Sequence, residues 1–133
     1  MYPRTIAKRF AAALDRCDFS EAARYLAPDC RYEFGQEVLI GPDAIIASYR
    51  ESDEWGRGVL QQVVYESRVE WNSDHATVTY IDRLSHHGET HEYRCRQHLW
   101  LDDTRHIVRI VHEELPGERE RLDEVFARWG VKR

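Results

Sequence analysis

His112 and Glu114 stand two residues apart in the stretch ETHEYRCRQHLWLDDTRHIVRIVHEEL, residues 89–115, and in an extended strand that spacing turns both side chains to one face. A histidine beside carboxylates suits proton transfer near neutral pH, because burial and neighbouring charge push the titrations of such groups apart. In the same stretch His91, Tyr93, Cys95, Gln97, Leu99 and Leu101 alternate with Glu92, Arg94, Arg96, His98, Trp100 and Asp102, the period of two that marks a half-buried strand. His112 is the expected general acid or base, with Glu114 or Asp82 orienting it or sharing its proton. Tyr32, Tyr80, Tyr93 and Gln97 are the expected hydrogen-bonding partners of a ligand carbonyl or hydroxyl. The plainer alternative is that His112 only bonds a carboxylate at the rim of a sheet.

The elements that must position these groups are four long strands, about residues 61–72, 75–86, 89–102 and 105–115, whose connections are too short for helices and therefore demand an antiparallel meander. Two-residue loops at Ser73-Asp74, His87-Gly88 and Asp103-Thr104 set its register. Opposed residues then fall into four rows: Trp71, Ala76, Leu99, Val108; Val69, Val78, Gln97, Ile110; Ser67, Tyr80, Cys95, His112; and Tyr65, Asp82, Tyr93, Glu114. The face grades from apolar to ionisable, which is how a pocket with a greasy end reads. The reverse face carries Glu66, Arg68, Glu70, Arg83, Glu92, Arg94, Arg96 and Glu113, with Arg83 expected opposite Glu92 and Arg94 opposite Glu113. Such a face suits solvent or a second subunit.

Before the meander, Ile6, Phe10, Ala13 and Leu14 recur at helical spacing over residues 5–16. Asp18 or Ser20 can cap a second, shorter helix carrying Ala22, Ala23, Tyr25 and Leu26, which Pro28 ends. Residues 30–34 and 38–40 read as short strands. Gly41-Pro42-Asp43 opens a third helix with Ile45, Ile46 and Tyr49 on its apolar side. Ser52 to Gly58 reads as a loop, either a lid or merely a connection, with Trp55 as the candidate pocket cover. After the meander, Pro116-Gly117 starts a last helix bearing Leu122, Val125, Phe126 and Trp129, and Gly130 stops it.

Composition bounds the rest. The 133 residues suit one domain, 42% hydrophobic and 32% charged, with net charge -5. There is no basic surplus for nucleic acid and no apolar run of membrane-spanning length, so neither partner is expected. Three cysteines with no C-x-x-C give no disulfide framework and point to a reducing, cytoplasmic setting. His86, His87, His91, Cys95 and His98 do not converge on one face, so no metal site is expected.

The order of elements, together with Arg9-Phe10-Ala11-Ala12-Ala13-Leu14, the Asp18-Phe19 step, Tyr25-Leu26-Ala27-Pro28-Asp29-Cys30, Ile40-Gly41-Pro42-Asp43-Ala44-Ile45 and Ile107-Val108-Arg109-Ile110, resembles the nuclear transport factor 2-like superfamily. Within it the chain is similar to ketosteroid isomerases and SnoaL-like polyketide cyclases. The resemblance implies an α+β cone, a curved antiparallel sheet wrapped around N-terminal helices, with the helix after Pro116 as an addition. It also implies a cofactor-free pocket for a hydrophobic small molecule and a homodimer. Matched to the isomerases, Phe10 falls on their oxyanion-hole tyrosine, Phe34 on their proton-shuttling aspartate and Gln97 on their second acidic group. By its residues the chain is therefore not a ketosteroid isomerase, and these three positions are expected to line the pocket without acid/base work. An acid/base enzyme for isomerisation, dehydration or cyclisation, a non-catalytic binder and, if the inner face is solidly packed, a pure assembly module all remain open.

Overall fold

The computed structural model describes residues 1–133 as an α+β domain. The chain runs α1 (Pro3–Asp15), α2 (Phe19–Ala23), β1 (Leu26–Phe34), β2 (Glu37–Ile40), α3 (Pro42–Val59), β3 (Gln62–Asn72), β4 (His75–His86), β5 (Glu89–Leu101), β6 (Ile107–Glu114) and α4 (Glu118–Trp129). One curved sheet has the order β2-β1-β6-β5-β4-β3 and stays open, because β2 and β3 lie at opposite edges. The sheet is mixed rather than wholly antiparallel, since β1 pairs with β6 in parallel.

The β3-β4-β5 registers are those the two-residue loops dictate: Trp71, Ala76 and Leu99 align, as do Val69, Val78 and Gln97. Ser73 and His87 take the left-handed conformation such tight loops require, and Gly88 follows His87 at φ 77° without a Cβ penalty. The last hairpin differs. The Asp102 carboxylate accepts hydrogen bonds from the backbone N–H groups of Thr104 and His106 and from the Thr104 hydroxyl, which folds residues 102–106 into a larger turn. With a bulge after Trp100, β6 slides two residues along β5: Leu99 faces Ile110, Gln97 faces His112 and Cys95 faces Glu114. A shift of two preserves which face each side chain takes, so His112 stays inward. It leaves Tyr65, Asp82 and Tyr93 as a row without Glu114. On the outer face Arg83 pairs with Glu92 as expected, but Glu113 stands opposite Arg96, not Arg94.

Two further expectations are corrected. The short second helix ends at Ala23, and Pro28 lies inside β1, where a register irregularity between Leu26 and Arg31 tolerates its missing N–H. Residues 52–58 are the last two turns of α3 and not a loop: Asp53 and Gly56 face inward, and that burial overrides the weak helix propensity of the glycines.

Two cores cover opposite ends of the inner face. Ile6, Phe10 and Leu14 of α1 and Ile45 and Ile46 of α3 pack on Val78, Leu99 and Ile110. At the other end Leu122, Val125, Phe126 and Trp129 of α4 pack on Val63, Leu84 and Tyr93. Burying a side chain such as Phe10, fully enclosed, contributes about 2–3 kcal/mol. The docking of α4 is fixed by Glu118, whose carboxylate accepts the Arg94 backbone N–H at 3.0 Å, just beyond the last β5 residue that β6 pairs. Gly130, at φ 71°, closes the helix as the Val131 N–H reaches the Phe126 carbonyl. No helix is long and apolar enough to cross a membrane.

Candidate functional site

Between the two cores the inner face turns polar, and a cavity of about 390 Å3 opens there. Its wall includes Tyr32, Phe34, Tyr49, Tyr65, Tyr80, Asp82, Tyr93, Cys95, Gln97 and His112, with Asp15 from the end of α1 and Asp53 from α3.

Gln97 is the hub at one end. It is 3% exposed, its Oε1 accepts the Tyr49 hydroxyl at 2.6 Å, and its Nε2 donates to the Tyr32 hydroxyl at 3.2 Å and to His112 Nδ1 at 3.3 Å. Tyr49 is itself clamped edge-on by Phe10 and Tyr32. The His112 ring stacks on Phe34, with centroids 4.4 Å apart and planes 24° apart. Burial holds the imidazole below its usual range, so it is neutral at pH 7. With Nδ1 accepting from Gln97, the ring hydrogen sits on Nε2, which has no protein partner. Burial also drives the tyrosine hydroxyls upward, Tyr93 to about 12 and Tyr49 and Tyr80 well above their ordinary value. They remain hydrogen-bond donors across the physiological range.

Asp82 marks the other end. Burial first, and then the nearby charge of Asp15, raise its carboxyl to about 7. Asp15 is raised as well, by burial, and its Oδ1 lacks a partner while Oδ2 accepts the Ser67 hydroxyl. Asp53 differs: the Tyr65 hydroxyl at 2.7 Å and the Arg57 guanidinium at 2.8 Å both donate to its Oδ1. Cys95 is pushed to about 12 by burial and then by Asp82, so it is a packed thiol rather than a thiolate.

Of the residues singled out in the sequence, Tyr32, Phe34, Tyr80, Asp82, Tyr93, Gln97 and His112 all reach this cavity. Three do not. Glu114 ends β6 at the surface, where Arg119 holds its carboxylate at 2.6 Å. Trp55 lies on α3 against Phe126, on the far side from the cavity wall. Phe10 is enclosed beneath Tyr49. His112 bonds neither carboxylate. The strand registers put Asp82 two strands and four residues away, about 16 Å between backbones, so the two can serve only different atoms of one ligand. Asp15, Asp53 and Tyr49 were missed, and Tyr65 lies in the inner row where the register puts it but with no role assigned. Tyr49 sits on the apolar stripe of Ile45 and Ile46, a hint that it points inward. Asp53 was hidden by reading its helix turn as a loop.

A profile of the SnoaL-like domain family matches residues 4–115, and the chain belongs to that family, within the nuclear transport factor 2-like superfamily. The fold agrees. A protein from Xanthomonas campestris pv. campestris, proposed to be a polyketide cyclase, superposes with TM-score 0.67 at 16% identity over 95% of this chain and 98% of its own. A nuclear transport factor 2-like protein of unknown function from Burkholderia pseudomallei gives 0.69 at 16% identity over 92% and 98%. TerC, co-crystallised with polyporic acid, gives 0.66 at 14% identity over 92% and 99%. No curated protein matches the chain. Identities this low establish a shared architecture and leave chemistry to the site.

Proposed function

We propose that the protein is a cofactor-free enzyme that moves a proton on an apolar, oxygen-bearing small molecule bound in this cavity, by isomerisation, dehydration or cyclisation. One observation carries the reading: the Asp82 carboxyl is buried in the cavity wall with Asp15 nearby, surroundings that push its pKa up to about 7. Such a group exists in both protonation states in neutral solution, which is the condition for a general acid or base. At the opposite end the Tyr32 hydroxyl and the Nε2–H of neutral His112, both oriented by Gln97, suit a ligand carbonyl, whose developing negative charge they would stabilise by hydrogen bonding. The tyrosine and phenylalanine rings between them suit a flat, apolar body. TerC, with its co-crystallised polyporic acid, is consistent with a small-molecule occupant in this architecture.

A panel of aromatic and alicyclic ketones, screened for binding and then for turnover, tests this. Asp82→Asn keeps binding and loses turnover, and the rate against pH breaks near 7 in the wild type. Full turnover by Asp82→Asn would overturn the assignment. A second reading, a non-catalytic binder, draws on Phe10, Phe34 and Gln97 standing where isomerases carry acid/base groups. It requires tight binding with no turnover and no dependence of affinity on His112. Association into a homodimer through the charged outer face belongs to the same proposal, and a monomer by light scattering would remove it.

A further inference from the structure

On the outer face, Thr77 of β4 stands opposite His98 of β5, and His75 lies diagonal to it at the start of β4. His75 Nδ1 is 2.9 Å from the Asp74 carboxylate, and His98 Nε2 is 2.9 Å from that of Glu113. The two remaining ring nitrogens, His75 Nε2 and His98 Nδ1, face each other at 3.1 Å. An ionised carboxylate only accepts, so each outer nitrogen carries its ring hydrogen, and a neutral imidazole has no second one. Two lone pairs then converge on one point from opposite rings. The Thr77 hydroxyl hydrogen can meet the one on His98 Nδ1, 3.2 Å away, and leaves the His75 lone pair facing the same point without a donor of its own.

We propose that His75 Nε2 and His98 Nδ1 bind a divalent transition-metal ion of the class that prefers imidazole, Zn2+, Ni2+ or Cu2+. Tetrahedral bonds of about 2.0–2.1 Å put two such nitrogens about 3.3 Å apart, so the rings need move only a few tenths of an ångström. A carboxylate on the far nitrogen of each ring is the support that fixes the tautomer of a metal-bound histidine and raises its basicity. Trp100 stacks on His75 at 4.6 Å and limits the swing of that ring. The Thr77 hydroxyl, 3.2 Å from His98 Nδ1 and accepting from the Asn72 amide, is the other polar group at the point of convergence. No third His, Cys, Asp or Glu joins the pair, so water completes the coordination, and the side chains, 19% and 25% exposed, leave it room. Sequence proximity concealed the site because the partner of His98 comes from across a hairpin and not from the His91–Cys95 neighbourhood.

Calorimetric titration of the chelator-treated full chain with ZnCl2 and with CuCl2 at pH 7.5 reads the site. One ion binds per chain, His75→Gln and His98→Gln each weaken it at least about tenfold, Glu113→Gln weakens it about tenfold, and His87→Gln, in the stacked pair at the neighbouring hairpin, changes nothing. Paramagnetic broadening by Cu2+ in the wild type, centred on residues 75, 77 and 98, gives the same answer without a variant. No binding at millimolar ion, binding unchanged in both histidine variants, or broadening centred on His86 and His87 would overturn the proposal.

Discussion

Asp82→Asn should stabilise the protein, and by more as the pH rises. The folded carboxyl titrates at about 7 against 3.8 for a free one, chiefly because burial disfavours its charge. Between those values the unfolded chain has released the proton that the folded chain still holds, so ionisation favours unfolding and stability falls as pH increases. At about 1.4 kcal/mol per pH unit the penalty is about 1–2 kcal/mol at pH 5 and levels off near 4 kcal/mol above pH 7. Asparagine keeps the shape and abolishes the penalty. Urea denaturation of wild type and variant at pH 5 and pH 8.5 measures this, and the gain should be about 3 kcal/mol larger at the higher pH. Groups that do not interact with Asp82, His112 among them, are common to both proteins and cancel in the difference, and the repulsion from Asp15 is already part of the raised Asp82 value. A gain equal at the two pH values would show that Asp82 holds no proton in the folded state, and the proton-transfer reading would lose its base.

Gln97→Leu leaves the Tyr49 hydroxyl, the Tyr32 hydroxyl and His112 Nδ1 without their shared partner, and should cost about 2–3 kcal/mol in urea denaturation and weaken any ligand that binds a carbonyl there. His112, held below its usual range by burial, gives stability that is complete above the unfolded value of 6.5 and declines as acid protonates the unfolded chain first, the opposite sign to Asp82. An NMR titration should find its ring less than half protonated at pH 6.5, with the hydrogen of the neutral ring on Nε2, and a mostly charged ring at that pH would contradict the burial argument. Trp129→Ala, emptying a site 4% exposed and breaking the indole hydrogen bond to Glu89, should cost about 3–5 kcal/mol by thermal or urea unfolding. Trp55→Ala should leave ligand affinity unchanged, whereas Phe34→Ala should lower it, as read by calorimetry.

The meander was legible because period-two alternation and the loops at Ser73 and His87 act locally, and local chemistry is what a sequence displays. The last hairpin slipped by two because the Asp102 carboxylate folds a longer turn, a contact that residue types alone do not announce. That slip moved Glu114 out of the row of Asp82 and Tyr93 and brought Gln97 to His112. The aspartates of α1 and α3 escaped for a different reason: Asp15 and Asp53 are charges on helices, which normally face water, and only the cavity between the two cores explains why these turn inward. The superfamily resemblance placed the architecture correctly and left the chemistry to be read from the site itself.

The most direct test of proton transfer is solvent deuterium entering the carbon beside the carbonyl of a bound ketone, followed by NMR. It needs no knowledge of the natural product. The wild type should exchange with a pH dependence centred near 7, and Asp82→Asn should exchange about 100- to 10,000-fold more slowly while binding the same ketone. Equal exchange by the two proteins would contradict the assignment of Asp82 and the account built on it.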